Sequence, residues 1–262
     1  MKSKKVVWIT GASSGIGEAL AYLFNENQDK IIISARNIAA LEKVKNNCKI
    51  PENCHILPLD ISDFKELPEK ATQAFKAFGT IDILINNAGV SQRSLIVATE
   101  FEVYQKLMEV NYLGTVALTK LVLPYFIQQQ KGQFVTVTSL MGKFASPYRS
   151  GYCGAKHALH GFFDALRMEH EKDGLKVTLI CPGFVQTNVA KNALTADGSA
   201  QKSEDKATEN GLPVAVFAQK MKKAIENQKF EVYIGQKEVF AVYLKRFFPK
   251  LLHRMVLRST VR

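Results

Sequence analysis

Cysteine is scarce in this chain, with 4 among 262 residues, and Cys48, Cys54, Cys153 and Cys181 form no CxxC pair and no metal-like spacing with the 5 histidines. A disulfide framework and a zinc site are therefore not expected, and the thiols read as reduced packing residues. No uninterrupted apolar run approaches the roughly 18 to 20 residues that a helix needs to cross a bilayer, so no spanning segment is expected. Val6-Val7-Trp8-Ile9 already reads as a buried strand. That leaves no room for a cleaved leader and makes a cytoplasmic location the expectation. Low-complexity blocks and internal repeats are missing as well, which excludes a disordered chain.

Acids are missing from one stretch. The formal charge of +11 arises from 35 Lys plus Arg against 24 Asp plus Glu, and six of those bases (Lys245, Arg246, Lys250, Arg254, Arg258, Arg262) fall between Phe240 and Arg262 with no acid among them. Any argument from basicity to a partner concerns that tail. No nucleic-acid recognition motif accompanies it, so no nucleic-acid partner is expected. Pro249 can open a helix in which Leu251, Leu252, Met255 and Val256 form an apolar stripe beside Lys250, Arg254 and Arg258. Such a helix can lie on a membrane surface, cover a substrate pocket or join a second subunit, and the residues alone leave all three open.

What is present is a regular alternation. Short apolar segments at Lys5 to Thr10, Lys30 to Ala35, His55 to Leu59, Ile81 to Asn86, Gln133 to Ser139, Lys176 to Cys181 and Glu231 to Ile234 read as seven strands. Helix-like stretches begin near Gly15, Ala39, Asp63, Glu100, Leu113, Gly151 and Pro213. Continuously apolar strands joined by helices predict an α/β fold: a Rossmann-type, doubly wound parallel sheet of seven strands with helices on both faces. Residues 1–236 form one catalytic domain in this reading, with 188–211 as a substrate loop because it lacks periodicity and follows a strand end. Residues 237–262 form the basic amphipathic tail.

The first strand runs into Thr10-Gly11-Ala12-Ser13-Ser14-Gly15-Ile16-Gly17. Here the chain must turn sharply, approach a pyrophosphate and open a helix whose first amides face the anion. Glycine at 11, 15 and 17 removes the side chains that would obstruct those tasks, and Ser13, Ser14 and Ile16 complete the turn. The second strand ends Ser34-Ala35-Arg36-Asn37, with no acid for the ribose hydroxyls. An arginine there accommodates a 2′-phosphate, so NADP(H) is expected over NAD(H), with Arg36 as its partner. Later comes Tyr152-Cys153-Gly154-Ala155-Lys156. Residues four apart on a helix share a face, so phenol and ammonium reach one pocket, and the cation is expected to lower the phenol pKa from about 10.

The glycine turn, Asn86-Asn87-Ala88-Gly89, Asn111, Ser139 and the YxxxK pair, in this order and at these intervals, resemble the short-chain dehydrogenase/reductase family over about residues 4 to 235. That resemblance implies a hydride passed between nicotinamide and a carbonyl or secondary-alcohol carbon. Tyr152 is then the acid/base, Ser139 holds the substrate oxygen, Lys156 bonds the nicotinamide ribose, and Asn111 positions a water beside the lysine. It also implies cofactor contacts from Asp60 and Ile61 near the adenine, from Asn87, Ala88 and Gly89 near the adenosine ribose, and from Pro182, Gly183, Val185 and Thr187 along the nicotinamide.

Substrate selection is expected from Ser91 to Ile96, Leu140 to Tyr148, Phe184 and the 188–211 loop, with Leu140 beside Ser139 and Tyr152. Leu140, Met141, Phe144, Tyr148 and Phe184 suit an apolar steroid-, retinoid- or acyl-like compound. Family members form dimers or tetramers, here through the helices near Leu113 and Gly151, with Ala155, Ala158, Leu159, Phe162 and Phe163 as apolar surface. The Leu-Lys-Arg-Phe-Phe-Pro segment resembles the branch holding the member-7-type and 11β-hydroxysteroid-dehydrogenase-like reductases, several of which associate with membranes. A cofactor-binding scaffold without catalysis is the rival reading, disfavoured by the complete Asn111, Ser139, Tyr152 and Lys156 set.

Overall fold

Strands β1 (Val6–Thr10), β2 (Lys30–Ser34), β3 (Cys54–Ile56), β4 (Ile83–Asn86), β5 (Gly132–Val137), β6 (Leu175–Pro182) and β7 (Glu231–Ile234) form one sheet of order β3-β2-β1-β4-β5-β6-β7 in the computed structural model, which describes residues 4–258. Every neighbouring pair is parallel. Parallel pairing forces each connection to cross a face of the sheet, so both faces are covered and the strands are apolar on both sides. Strand order reverses between β1 and β4, which opens a crevice at their carboxyl ends.

Side chains alternate along each strand. Val7 and Ile9 face a core formed with Ile31 and Ile33 from β2, Leu20 and Phe24 of α1 (Gly15–Glu26) and Leu41 of α2 (Ile38–Asn46). Val6 and Trp8 face the opposite core. There they join Leu67 of α3 (Leu67–Phe78), Leu118 and Phe126 of α5 (Gly114–Gln129) and Phe163 of α6 (Ser150–Glu169). Burial of Phe126, Phe134 and Phe163 contributes about 2 kcal/mol each.

The third helix starts at Leu67 rather than near Asp63, because the Asp63 carboxylate accepts from the Lys65 and Glu66 amides at 3.2 and 3.4 Å and makes a separate turn. Ala155, Leu159 and Phe163, expected on an oligomer surface, instead lie in the core; Ala158 and Phe162 are half-buried.

Helix α4 (Phe101–Met108) continues through a wide π turn at Glu109–Leu113 into α5. This Phe101–Gln129 stretch is long and apolar enough to cross a membrane by length and composition, which its interrupted apolar pattern did not lead us to expect. In the fold it lies against the sheet with Leu107, Leu118, Val122 and Phe126 buried.

The aperiodic 188–211 segment is tied down by backbone pairing, with the Leu194 amide donating to Ser91 O at 2.9 Å and the Arg93 amide to Leu194 O at 2.8 Å. It carries the short helix α7 (Lys206–Glu209) and leads into α8 (Val214–Glu226). The tail forms α9 (Phe240–Phe247) and α10 (Pro249–Arg258), as the proline signal suggested for the second. Its stripe splits: Leu252 is buried against Leu140, Phe144 and Cys181 with Val256 beside it, while Leu251 and Met255 stay about half exposed. Residues 259 to 262, including the last tail arginine, Arg262, lie outside the described region.

Candidate active site

Gly11 adopts φ +64°, and a Cβ there would sit 2.8 Å from Ala88 Cα. The glycine turn and the strand-end Asn87-Ala88 segment are therefore in direct contact. Thr10 Oγ1 accepts from the Asn87 and Ala88 amides at 3.0 and 3.1 Å, and Asn87 Nδ2 donates to Thr10 O and Gly11 O at 3.0 and 3.1 Å. Two segments read separately in the sequence are thus one rigid cradle. Ser14 stands at the α1 N-terminus without a side-chain cap bond, so the first amides of the helix remain directed at the crevice. Ser13 is half-buried, and Ile16 packs against the core.

At the β2 end, Arg36 is 73% exposed and its Nη1 lies 4.0 Å from Asp60. Burial pushes the Asp60 carboxyl up, but bonds from Ser62 and the Arg36 charge outweigh it and leave the carboxyl below its ordinary value. Neighbouring Ile61 commits its side chain to the core, so only its backbone is available to a ligand. Thr187 lies close to the glycine turn, since a Cβ on Gly15 would meet its Cγ2 at 3.2 Å. Pro182 ends β6, the Gly183 amide donates to Ile234 O at 2.8 Å, and Val185 is buried.

Asn111 is placed by the π turn, which rotates it inward and buries it completely. Its Oδ1 accepts from the Val90 amide, and its Nδ2 donates to Val90 O and Leu107 O, all at 3.0 Å. The side chain thereby ties Val90, directly after the Asn87-Gly89 segment, to the helix. Gly89 fills the gap to the lysine: a Cβ there would sit 2.8 Å from Asn111 Oδ1 and 3.5 Å from Lys156 Nζ.

Tyr152 faces Ser139, which favours its phenolate, and Ser139 Oγ accepts from the Met141 amide at 3.0 Å. Lys156 Nζ lies 5.8 Å from the Tyr152 ring centroid and donates to Val137 O at 2.8 Å. Burial brings the Lys156 amine down to about 8. Burial also pushes the Tyr152 phenol up, and the groups that pull it back are Ser139, Arg149 and Arg93. The expected lowering of the phenol by Lys156 is therefore not the dominant influence, because desolvation acts on both members of the pair.

A cavity of about 310 Å³ opens beside this group. Ser139, Leu140, Met141, Phe144, Tyr152 and Phe184 line it as the sequence suggested, but Tyr148 is not among its lining residues. Arg93 comes from the expected 91–96 stretch and Leu252 from the tail stripe, for which covering the pocket was one of the three open readings, whereas Arg149 and Glu238 escaped sequence reasoning. Only Arg149, three residues before the tyrosine, carried any local signal.

Behind Lys156, His160, Cys181 and Glu231 bring potential ligand atoms within 4.8 Å of one another, a grouping that the spacing did not show. Lys143 Nζ sits 2.7 Å from Glu231, and the Tyr233 hydroxyl donates to the same carboxylate. An ammonium already occupies the carboxylate's cation position, so these residues form an ion network joining β7 to the Ser139-Phe144 turn.

Comparison with known proteins agrees with this geometry. The family described as short chain dehydrogenase matches residues 5–198. Dehydrogenase/reductase SDR family member 7 of Homo sapiens is 42% identical over 252 residues, covering 93% of this chain and 74% of the relative. Dehydrogenase/reductase SDR family member 7B of Mus musculus is 38% identical over 257 residues, covering 96% and 80%. A solved short-chain dehydrogenase from Streptomyces avermitilis superposes with a TM-score of 0.82 at 25% identity, covering 98% of this chain and 99% of that one. The chain belongs to the short-chain dehydrogenase/reductase family, oxidoreductases with an NAD(P)-binding Rossmann fold.

Proposed function

We propose that the protein interconverts a carbonyl and a secondary alcohol with NADP(H), Tyr152 serving as acid/base. The observation that carries this reading is the convergence of Tyr152, Ser139 and the buried Lys156 beside one cavity at the carboxyl ends of the strands. The cradle at Gly11, tied down by Asn87, fits a dinucleotide pyrophosphate, and the exposed Arg36 guanidinium fits a 2′-phosphate. When bound, the nicotinamide supplies or takes the hydride.

In reduction, Tyr152 gives its proton to the substrate oxygen while Ser139 Oγ holds that oxygen. Lys156 spends one N–H on Val137 O and keeps two for ribose hydroxyls, and its charge stabilises the phenolate that forms. Asn111 acts through position, holding Val90 and with it the neighbouring Gly89 beside the lysine. Leu140, Met141, Phe144 and Leu252 give the cavity a wall suited to a steroid-, retinoid- or acyl-like body.

The test is a panel of carbonyls and alcohols with NADPH, NADH and their oxidised forms. Turnover that disappears in Tyr152→Phe is expected. Cofactor binding without turnover would instead identify a silent scaffold, and equal efficiency with NADH and NADPH would overturn the cofactor preference.

A second reading concerns the tail, which we place at anionic membrane surfaces from a cytoplasmic location. Phe240, Phe247, Phe248 and Leu257 are exposed next to Lys245, Arg246, Lys250, Arg254 and Arg258. Salt-sensitive cosedimentation with anionic vesicles is expected, and a protein left in the supernatant defeats this reading. A homodimer or homotetramer through α5 and α6 is proposed with it, to be read by light scattering.

A further inference from the structure

The cavity holds two buried guanidinium groups. Side chains of Arg93 and Arg149 are 9% and 5% exposed, and both line the wall near Tyr152. A single buried carboxylate, Asp205 from the 188–211 segment, faces them.

Arg93 takes most of that carboxylate. Its Nε donates to Asp205 Oδ2 at 2.9 Å, its Nη2 donates to the same oxygen, and its Nη1 donates to Ser91 Oγ and Gln92 O at 2.8 and 2.6 Å. Arg149 is left with long contacts, 3.5 Å from Nη2 to the shared oxygen and 3.3 Å from Nη1 to Ser146 Oγ. The other carboxylate in the wall, Glu238, is already engaged by the Phe184 and Gln236 amides, each at 3.1 Å. Burial and the Arg93 charge lower Arg149 to about 10, which still leaves it cationic at neutral pH.

A desolvated cation with poor compensation is costly unless an anion completes it. Arg149 stands at the start of α6, three residues before Tyr152. Arg149 is the N-cap itself, with φ −135° and ψ 27°, so its nearness to Tyr152 follows from the cavity that both line and from its charge, which pulls the Tyr152 phenol down. An anion on Arg149 therefore lies close to a carbonyl held by Tyr152 and Ser139. Leu140, Met141, Phe144 and Leu252 form the apolar remainder of the wall.

We infer that the substrate is an amphipathic carbonyl compound with a carboxylate or phosphate a few bonds from the reacting carbon, bound by Arg149, and an apolar chain in the rest of the cavity. Arg93 and Asp205 hold Arg149 in place and tie the substrate segment to the catalytic helix. This rests on the reaction proposed above and corrects its purely apolar substrate class.

Two matched pairs test it with the full chain and NADPH: a γ-keto fatty acid against its methyl ester, and an α-hydroxyketone phosphate against the free hydroxyketone. The expected kcat/KM favours the anionic member of at least one pair by about tenfold or more, the effect of a charge-assisted hydrogen bond. Which pair shows the preference identifies the anion. Arg149→Gln is expected to bring that ratio near unity, with Arg149→Lys retaining part of it. Should Arg149→Gln not fold, competition in the wild type decides: a long-chain fatty carboxylate should inhibit about tenfold more tightly than its methyl ester.

Equal efficiency within both pairs, equal inhibition by acid and ester, or a preference that survives in a folded Arg149→Gln variant overturns the anion subsite while leaving the reaction standing. Failure to reduce any of the four compounds overturns the reaction itself.

Discussion

Lys156→Met removes a buried ammonium while keeping a long apolar stem, and its effect on stability is expected to change with pH. The amine falls from 10.5 to about 8 in the folded state because it is desolvated. That drop corresponds to about 3 kcal/mol of destabilisation when the charge is kept. A base with a lowered folded-state pKa exerts its full penalty below about pH 8, where both states hold the proton. The penalty fades as pH rises through 8 toward 10.5, where neither does. At neutral pH the methionine variant escapes it but leaves Val137 O without its partner, a loss of about 1 to 3 kcal/mol, so the two proteins should be close in stability. In paired urea titrations without added dinucleotide, wild type should gain about 3 kcal/mol on the variant between pH 7 and 10.5. A difference that stays constant over that range would refute the reasoning, since it would mean the ammonium is solvated in the fold.

The same amine sets a limit on activity: kcat/KM for reduction should fall as pH passes upward through about 8, and Lys156→Arg should move that limb to higher pH. Tyr152→Phe should lower kcat by about 100-fold or more with little change in NADPH binding, read by cofactor fluorescence. Arg36→Glu places a like charge where the 2′-phosphate is proposed to sit, so KM for NADPH should rise at least tenfold, roughly one charge-assisted contact, with a much smaller effect on NADH. Phe163→Ala opens the fully buried core under α6 and should cost about 3 to 5 kcal/mol by denaturation.

The parts of the site legible in the sequence are those where chemistry dictates a residue type at a fixed spacing. A sharp turn against Ala88 admits only glycine at 11, and a phenol and amine on one helix face must lie four residues apart. Strand and helix order was legible for a similar reason, since burial on both faces of a parallel sheet leaves continuous apolar runs. The two-arginine cluster was not, because Arg93 and Asp205 lie 112 positions apart and meet only when the 188–211 segment folds over the cavity. Asn111 could be named but not understood from spacing alone: its orientation depends on a π turn, which follows neither helical nor strand period. The tail was read as one stripe, yet α10 buries Leu252 against Leu140, Phe144 and Cys181 and leaves Leu251 and Met255 about half exposed. Which part of a stripe is buried is set by what lies beneath the helix, and periodicity carries no record of that.

Thr187 completes the set of residues assigned to the dinucleotide, whereas the cavity wall also takes Glu238, Leu252 and Val256 from much later in the chain. The bonds of the glycine turn run among Thr10, Gly11, Asn87 and Ala88, so the tail roofs only the chamber, and a change in the tail would reshape the carbonyl site while leaving the bonds of the nucleotide cradle intact.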